Sequence, residues 1–269
     1  MKPLEPLKPL ELLNPPNPSD TAPHHFPRSR NISKFVLQKS TMATPVPEQH
    51  IVQILSAEYV ANNVRRFKLS RPGGYTFKPG QATEISINKD GWINERRPFT
   101  FTSLDEWDHL EFTIKIYHDH DGVTNQLGEI MPGEELILHD IFGTITYKGE
   151  GVFIAGGAGL TPFIAILRRL QKDEALGSNM LLFSNRTAQD IILKNELQVM
   201  LGQKFINTLT QETDPLYDHG KIDAGYIKSK VQDFDRYFYL CGPDPMVESL
   251  KVVLASLGVS KEKIVFEEF

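Results

Sequence analysis

From His50 onwards the apolar positions fall into two rhythms. The first is a series of short runs rich in β-branched and aromatic residues: Ile51–Tyr59, Val64–Leu69, Ala82–Ile87, Phe99–Thr102, Leu110–Tyr117 and Glu135–His139. Turn residues separate them, at Pro72-Gly73-Gly74, Pro79-Gly80, Asp90-Gly91 and Pro132-Gly133. Short strands so spaced predict an antiparallel barrel or sandwich. After Gly149 strand-like and helix-like stretches alternate. Val152–Ala155 reads as a strand, and Pro162–Gln171 carries Phe163, Ile164, Ile166, Leu167 and Leu170 at helical spacing. Strand Met180–Ser184, helix Ile191–Leu201, strand Phe205–Leu209, helix Tyr226–Val231, strand Tyr237–Leu240, helix Pro245–Leu257 and strand Ile264–Phe269 follow. Such alternation predicts a parallel, doubly wound sheet. The expected organisation is a β-barrel domain over residues 48–148 and an α/β domain over 149–269.

Residues 1–47 follow neither rhythm. Proline recurs from Pro3 to Pro47 without apolar periodicity, removing backbone donors and interrupting any helix. The stretch is expected to be disordered, either as a tether or as sequence preceding a true start at Met42. Arg28, Arg30 and Lys34 suggest a targeting peptide, while Glu5 and Glu11 argue against one.

Composition narrows the function. Of 269 residues, 40% are apolar and 23% charged, and the net charge is −5. That describes a globular chain without the basic footprint of a nucleic-acid binder. The single cysteine, Cys241, leaves no intramolecular disulfide and no four-cysteine iron–sulfur cluster within these residues. No apolar run approaches the roughly 18 residues that span a bilayer. The expectation is a cytoplasmic protein without stable membrane insertion.

Several segments carry chemistry. Gly156-Gly157-Ala158-Gly159-Leu160-Thr161-Pro162 follows an apolar strand and opens a helix, where glycines let a diphosphate approach backbone amides. Thr161 suits an N-cap and Pro162 a first helical residue. A tight turn without a ligand explains this motif about equally well. Cys241-Gly242-Pro243-Asp244-Pro245-Met246 ends another strand, and alone it is a sharp chain break with a small apolar thiol. In the barrel, Arg97-Pro98-Phe99-Thr100 offers a cation for a diphosphate, a ring for a flat heterocycle and a hydroxyl. Gly122-Val123-Thr124-Asn125-Gln126-Leu127 reads as a turn into a short helix.

Taken in order, R-P-F-T, G-V-T-x-x-L, G-G-x-G-L-T-P, C-G-P-x-P-M and an aromatic C-terminus resemble the ferredoxin–NADP reductase superfamily, over Ile51 to Phe269. The resemblance implies FAD on the barrel, a nicotinamide nucleotide on the α/β domain, and hydride transfer between them. It places Arg97 at the flavin diphosphate, with Pro98 beside it. Phe99 stands where relatives carry the stacking Tyr, and Thr100 lies near the reactive nitrogen. Lys115, Ile116 and Tyr117 fall in the flavin-lining strand, and Gly122, Val123 and Thr124 at a second diphosphate contact. Gly157, Gly159, Thr161 and Pro162 match the nicotinamide-nucleotide loop, Cys241, Gly242 and Pro243 the strand end beside the nicotinamide. Phe269 matches the terminal aromatic that covers the flavin, with Glu267 near it. Thr100, Cys241 and Glu267 are the residues assigned to orienting the two rings.

Asn185, Arg186 and Asp190 sit in a stretch similar to NADH-linked cytochrome reductases. Arg186 is a cation suited to a 2′-phosphate, yet Thr210-Gln211-Glu212 replaces the Ser-Arg pair of NADPH-specific relatives. NADH is favoured slightly. Without cluster cysteines the acceptor is expected to be a separate molecule: flavodoxin, ferredoxin, a haem protein, an oxygenase component or a small molecule. A flavin reductase releasing free reduced flavin and a non-catalytic flavin-binding module are the alternatives. His118-Asp119-His120-Asp121 is read as a polar loop rather than a metal site, and His24 and His25 as solvated.

Overall fold

The computed structural model describes residues 49–143 and 145–267. The expectations for residues 1–47 and for Phe269 lie outside the described residues.

The first sheet contains β1 (His50–Ala61), β2 (Val64–Ser70), β3 (Ala82–Ile87), β4 (Arg97–Thr100), β5 (His109–Lys115) and β6 (Glu135–Phe142), with the short helix α1 (Val123–Glu129) before β6. Its order is β4-β3-β6-β1-β2-β5, and every pairing is antiparallel. The outer edges meet at one isolated bridge, Phe101 to Phe112, so the sheet is barrel-like without being fully closed. Alternation turns Val52 and Ile54 inward while Ile51 and Leu55 face solvent. Inside, Phe67, Phe101 and Phe112 are fully buried, and Phe77 stacks on Phe101 at 4.1 Å. Burying each such ring contributes roughly 1.5–3 kcal/mol. Arg65 is buried too, its Nη1 donating to the carbonyls of Leu127, Gly128 and Ile130 at 2.7, 2.8 and 3.1 Å. That places a cation on the orphan carbonyls ending α1 and fastens the helix to the barrel.

The second sheet is wholly parallel. It comprises β7 (Gly151–Gly156), β8 (Met180–Asn185), β9 (Phe205–Leu209), β10 (Asp218–His219), β11 (Tyr237–Cys241) and β12 (Ile264–Phe266), ordered β10-β9-β8-β7-β11-β12. Helices α2 (Thr161–Lys172), α3 (Lys194–Leu201), α4 (Ala224–Lys230) and α5 (Asp244–Ser256) connect the strands. Alternation along β7 feeds two cores. Phe153 and Ala155 pack with Phe163, Ile164 and Leu167 of α2, while Val152 and Ile154 join Phe238, Leu240, Leu250 and Leu254. The chain leaves β7 outward through β8, β9 and β10, then crosses back to β11 on its other side. The reversal opens a crevice at the carboxyl ends of β7 and β11, where such sheets bind ligands.

Three local expectations are corrected. Thr161 is not the N-cap of α2, and Pro162 is its second residue, not its first. A 3-10 turn over Gly157–Leu160 runs straight into the helix, Thr161 is already helical, and its hydroxyl donates to Ala158 O at 3.0 Å. Helix α3 begins at Lys194, not Ile191, because Leu193 takes a left-handed conformation (φ 51°) after a 3-10 turn at Ala188–Asp190. Strand β10 was not expected, since two polar residues carry no periodicity.

Candidate functional site

A cleft of about 630 Å3 separates the first sheet from the carboxyl ends of β7, β8 and β11. Its barrel wall includes Pro98, Phe99 and Thr100 of β4, Thr113, Ile114 and Lys115 of β5, Tyr117 just beyond, and Thr124 of α1. Opposite stand Gly157, Gly159, Thr161, Pro162, Asn185, Arg186, Asp190, Cys241, Gly242, Pro243 and Glu267. One space thus gathers residues from four sequence motifs. Ala158, Ser184, Thr210 and Met246 also line it and were not singled out as site residues. Met246 was visible only as the last letter of a motif; Thr210, one strand further on, entered only as part of Thr210-Gln211-Glu212, weighed for nucleotide preference.

The remaining candidates stand elsewhere. Lys115 and Tyr117 face the cleft, so strand periodicity turns Ile116 inward, where it is fully buried in the barrel core. Val123 is buried in the same core. Neither side chain can meet a ligand in the cleft, which leaves these two positions only backbone contact. Arg97 and Gly122 lie off the cleft lining. The Arg97 guanidinium folds back on its own segment, donating to Arg96 O at 2.6 Å and lying 3.9 Å from Glu95.

The two glycine motifs explain each other. A Cβ on Gly159 would lie 2.3 Å from Cys241 O and 2.5 Å from Gly242 N, and one on Gly156 would lie 2.6 Å from Met246 Sδ. Glycine is what lets the loop after β7 lie against the end of β11. Gly157 differs: its φ is +52° and nothing stands within 4 Å of where its Cβ would be. The loop is packed behind and open in front.

Asn185 ends β8 with its backbone carbonyl held by Thr210, whose N donates at 2.9 Å and hydroxyl at 3.2 Å. The side chain is 4% exposed, yet neither amide atom has a partner in the protein. Buried polar groups are rarely left so, and this one lies at a cleft large enough to supply a ligand's hydrogen bonds. Next to it, two carboxylates occupy the backbone amides. Asp190 Oδ2 accepts from Thr187 N at 3.0 Å and Thr187 Oγ1 at 2.9 Å, and Glu212 Oε2 accepts from Ala188 N at 2.7 Å. An anion arriving here finds those donors taken and negative charge in their place.

At the end of β11, burial pushes the Cys241 thiol up to about 12, and the nearby Glu267 carboxylate adds to the effect. Burial also raises Glu267 above the ordinary carboxylate range. Cys241 is therefore an uncharged thiol at neutral pH, not a nucleophilic thiolate. His118 pairs with Asn125 at 3.2 Å, and the His120 ring stacks on Tyr117 at 5.9 Å. Among the described residues no group of three or more His, Cys, Asp or Glu side chains is placed to hold a metal ion, and no helix is long and apolar enough to cross a membrane.

Comparison with known proteins gives the same picture. Residues 153–251 match the model of the oxidoreductase NAD-binding domain. The chain is 29% identical over 245 residues to the reductase component of propane 2-monooxygenase from Rhodococcus jostii, covering 83% of this chain and 65% of that protein. It thus spans just under two thirds of that relative's length. It is 26% identical over 242 residues to human NADH-cytochrome b5 reductase 1, covering 75% of this chain and 79% of the relative. Among solved structures, a ferredoxin NADP+ reductase from Neisseria gonorrhoeae with bound FAD and NADP superposes with a TM-score of 0.72 at 20% identity, over 81% of this chain and 98% of that one. That likeness shows the fold.

Proposed function

We propose that the chain is a member of the ferredoxin–NADP reductase superfamily, to which its NAD-binding domain match, its relatives and its fold are similar, and that it is an FAD-dependent NAD(P)H reductase that passes electrons to a separate acceptor. The observation that carries the reading is the single cleft. It sets an aromatic, hydroxyl-bearing barrel wall at Phe99 and Thr100 against a glycine loop at Gly157–Gly159 and the uncharged end of β11. The residues fit the two nucleotides by observations independent of any name: the open face of Gly157, the close approach that Gly159 permits, and the unpaired buried amide of Asn185.

FAD, when bound, supplies the chemistry of accepting a hydride from a nicotinamide and releasing electrons one or two at a time. The protein's own part is positioning. Phe99, Lys115 and Tyr117 would hold the flavin on the barrel wall, and Thr100 would offer its hydroxyl to the ring. Gly157, Gly159, Thr161 and Pro162 would seat the dinucleotide's diphosphate. Cys241, kept neutral, would pack against the nicotinamide without placing an anion there. The occupied amides of Thr187 and Ala188, with Asp190 and Glu212 upon them, disfavour a 2′-phosphate and support NADH over NADPH. These 269 residues hold one cysteine and therefore no four-cysteine cluster; the acceptor class proposed is a haem protein, an iron–sulfur or flavin carrier, or an oxygenase component.

The test is the visible spectrum of the purified, FAD-reconstituted protein, mixed anaerobically with NADH or NADPH. A yellow protein bleached much faster by NADH is expected. Flavin that dialyses away readily and is reduced only in excess would favour the free-flavin reductase reading. A protein that takes up no flavin and ignores both nucleotides would overturn the proposal.

A further inference from the structure

The helix that begins at the glycine loop is fastened to the barrel by a buried ion network. Arg168 lies two turns into α2, about 10 Å along the axis from Thr161, and is 7% exposed. Its Nη1 donates to Glu111 Oε1 at 2.6 Å and to Thr102 O at 2.7 Å, both in the barrel. Its Nε and Nη2 grip the two oxygens of Glu196 on α3 at 2.5 and 2.9 Å. The guanidinium also lies over the Trp107 ring at 5.1 Å. Glu111, 1% exposed, accepts as well from the Thr102 hydroxyl at 2.8 Å. That hydroxyl is in turn 3.3 Å from Thr113 Oγ1, and Thr113 lines the cleft.

The two bonds that Arg168 makes to the barrel thus end on residues close in sequence to the cleft. Thr102 is two positions beyond Thr100, and Glu111 two before Thr113. At the other end, α2 emerges directly from the Gly157–Leu160 turn. A second, exposed tier repeats the contact: Arg169 pairs with Asp105 at 2.7 Å and with Glu106, and Lys172 pairs with Glu106. Stability alone does not account for this choice, since a buried ion pair is often no more stabilising than apolar residues of similar volume. What a planar, five-donor group does better than an apolar contact is fix orientation, because its bonds are lost when either side rotates.

We infer that Arg168 is a positioning residue for the reaction: its fork, closed on Glu111, Thr102 and Glu196, sets the register between the dinucleotide loop and the flavin-bearing strands. The inference rests on the nucleotide and flavin reading above. It predicts a particular kinetic split. The Arg168 side chain bonds to Glu111, Thr102 and Glu196 and not to the loop itself, so dinucleotide affinity should persist, while the alignment of the two rings should not. Misplacement on the scale of an ångström is enough to slow a positioned reaction by one to two orders of magnitude.

The test is Arg168→Lys and, separately, Glu111→Gln, both as full-length FAD-loaded protein. Measured are kcat and KM for NADH with ferricyanide as acceptor, NAD+ affinity by calorimetry, flavin content and Tm. Leu136→Ala, which empties part of the barrel core on β6, opposite Val52 and Ile87 and off the strands that hold the network, serves as the destabilised control. Expected for both network variants is a kcat lowered about tenfold, with KM and the NAD+ dissociation constant within about threefold of wild type and flavin content unchanged. Leu136→Ala should lower Tm and leave kcat within about twofold. If kcat holds while Tm falls, the network is structural only and the inference is overturned. If affinity falls in parallel with kcat, Arg168 belongs to binding and the inference is again overturned. A wild-type protein inert to both nucleotides would instead bring down the underlying reading, and the inference with it.

Discussion

At Gly159 one methyl group decides whether the cleft can form. Alanine there would press on the carbonyl of Cys241 from 2.3 Å, backbone against backbone, with no flexible side chain to yield. Gly159→Ala is therefore expected to cost about 1–3 kcal/mol of stability and to weaken NAD+ binding, readable by thermal denaturation and nucleotide titration. Glu212 is expected to act on selectivity. Removing its charge in Glu212→Gln lifts a repulsion of about 1 kcal/mol on a 2′-phosphate, and the NADPH to NADH ratio of kcat/KM should rise several-fold. An unchanged ratio would take the residue out of the argument. Cys241, held near 12 by burial, should alkylate slowly at pH 8 compared with an ordinary thiol, and its rate should go on rising about tenfold per pH unit beyond pH 9, where an ordinary thiol levels off. The sign for stability follows. An acid whose folded pKa is raised favours the fold below its unfolded value of about 8.5 and progressively loses that contribution as pH rises toward 12. Among single residues, the sequence displayed the glycines, Thr100 and Cys241 because chemistry demands them at motif positions. Arg168 and Glu111 were invisible, because a charged residue acquires a role only when a distant partner folds against it, and Glu212 was visible only as part of Thr210-Gln211-Glu212.

At the scale of elements, strands proved the most legible parts. The runs Ala82–Ile87 and Phe205–Leu209 coincide with β3 and β9 as read from the sequence, since each is bounded by turns and must satisfy one or two apolar faces. Helix starts were less so. The apolar Ile191-Ile192-Leu193 is buried and looks helical, but the capping box of Thr187 and Asp190 closes a separate turn at Ala188–Asp190, and these three residues only link it to α3. Turns themselves can be tested. Gly80 has φ +92°, and a Cβ there would fall 2.0 Å from Ile145 O and 3.3 Å from Ile166 of α2. Gly80→Ala is expected to lower stability by about 1–3 kcal/mol, seen as a lower urea midpoint, because it strains the turn and wedges the barrel off α2 at once. A variant as stable as wild type would mean that Ile145 can shift freely.

At the scale of the whole molecule, the contact between barrel and α2 has an ionic part beside the apolar one at Val64 and Ile166, and the ionic part should answer to solvent conditions that leave the cores alone. Glu106 is held at about 2, chiefly by its bond to Lys172. A depressed carboxylate contributes stability above its ordinary value near 4.5, and that contribution is lost as pH falls toward 2. Trp107, lying beneath the Arg168 guanidinium, reports on this contact. In a Trp92→Phe background its fluorescence should change between about pH 4.5 and 2. Added salt should move the change to higher pH by weakening the exposed Arg169 and Lys172 pairs. Emission that stays constant until the far-ultraviolet circular dichroism collapses would show that the contact has no independent existence.

The strand order carries one more consequence, for synthesis on the ribosome. Strand β7 is central and entirely buried, yet the partner on one of its sides is β11, residues 237–241. Until that stretch has been translated and has cleared the exit tunnel, β7 waits with a bare hydrogen-bonding edge between apolar faces, the kind of surface that recruits chaperones or other nascent chains. The crevice at the ends of β7 and β11 is thus among the last features to be completed. Acquisition of nucleotide binding should therefore mark the end of this protein's folding and not its beginning.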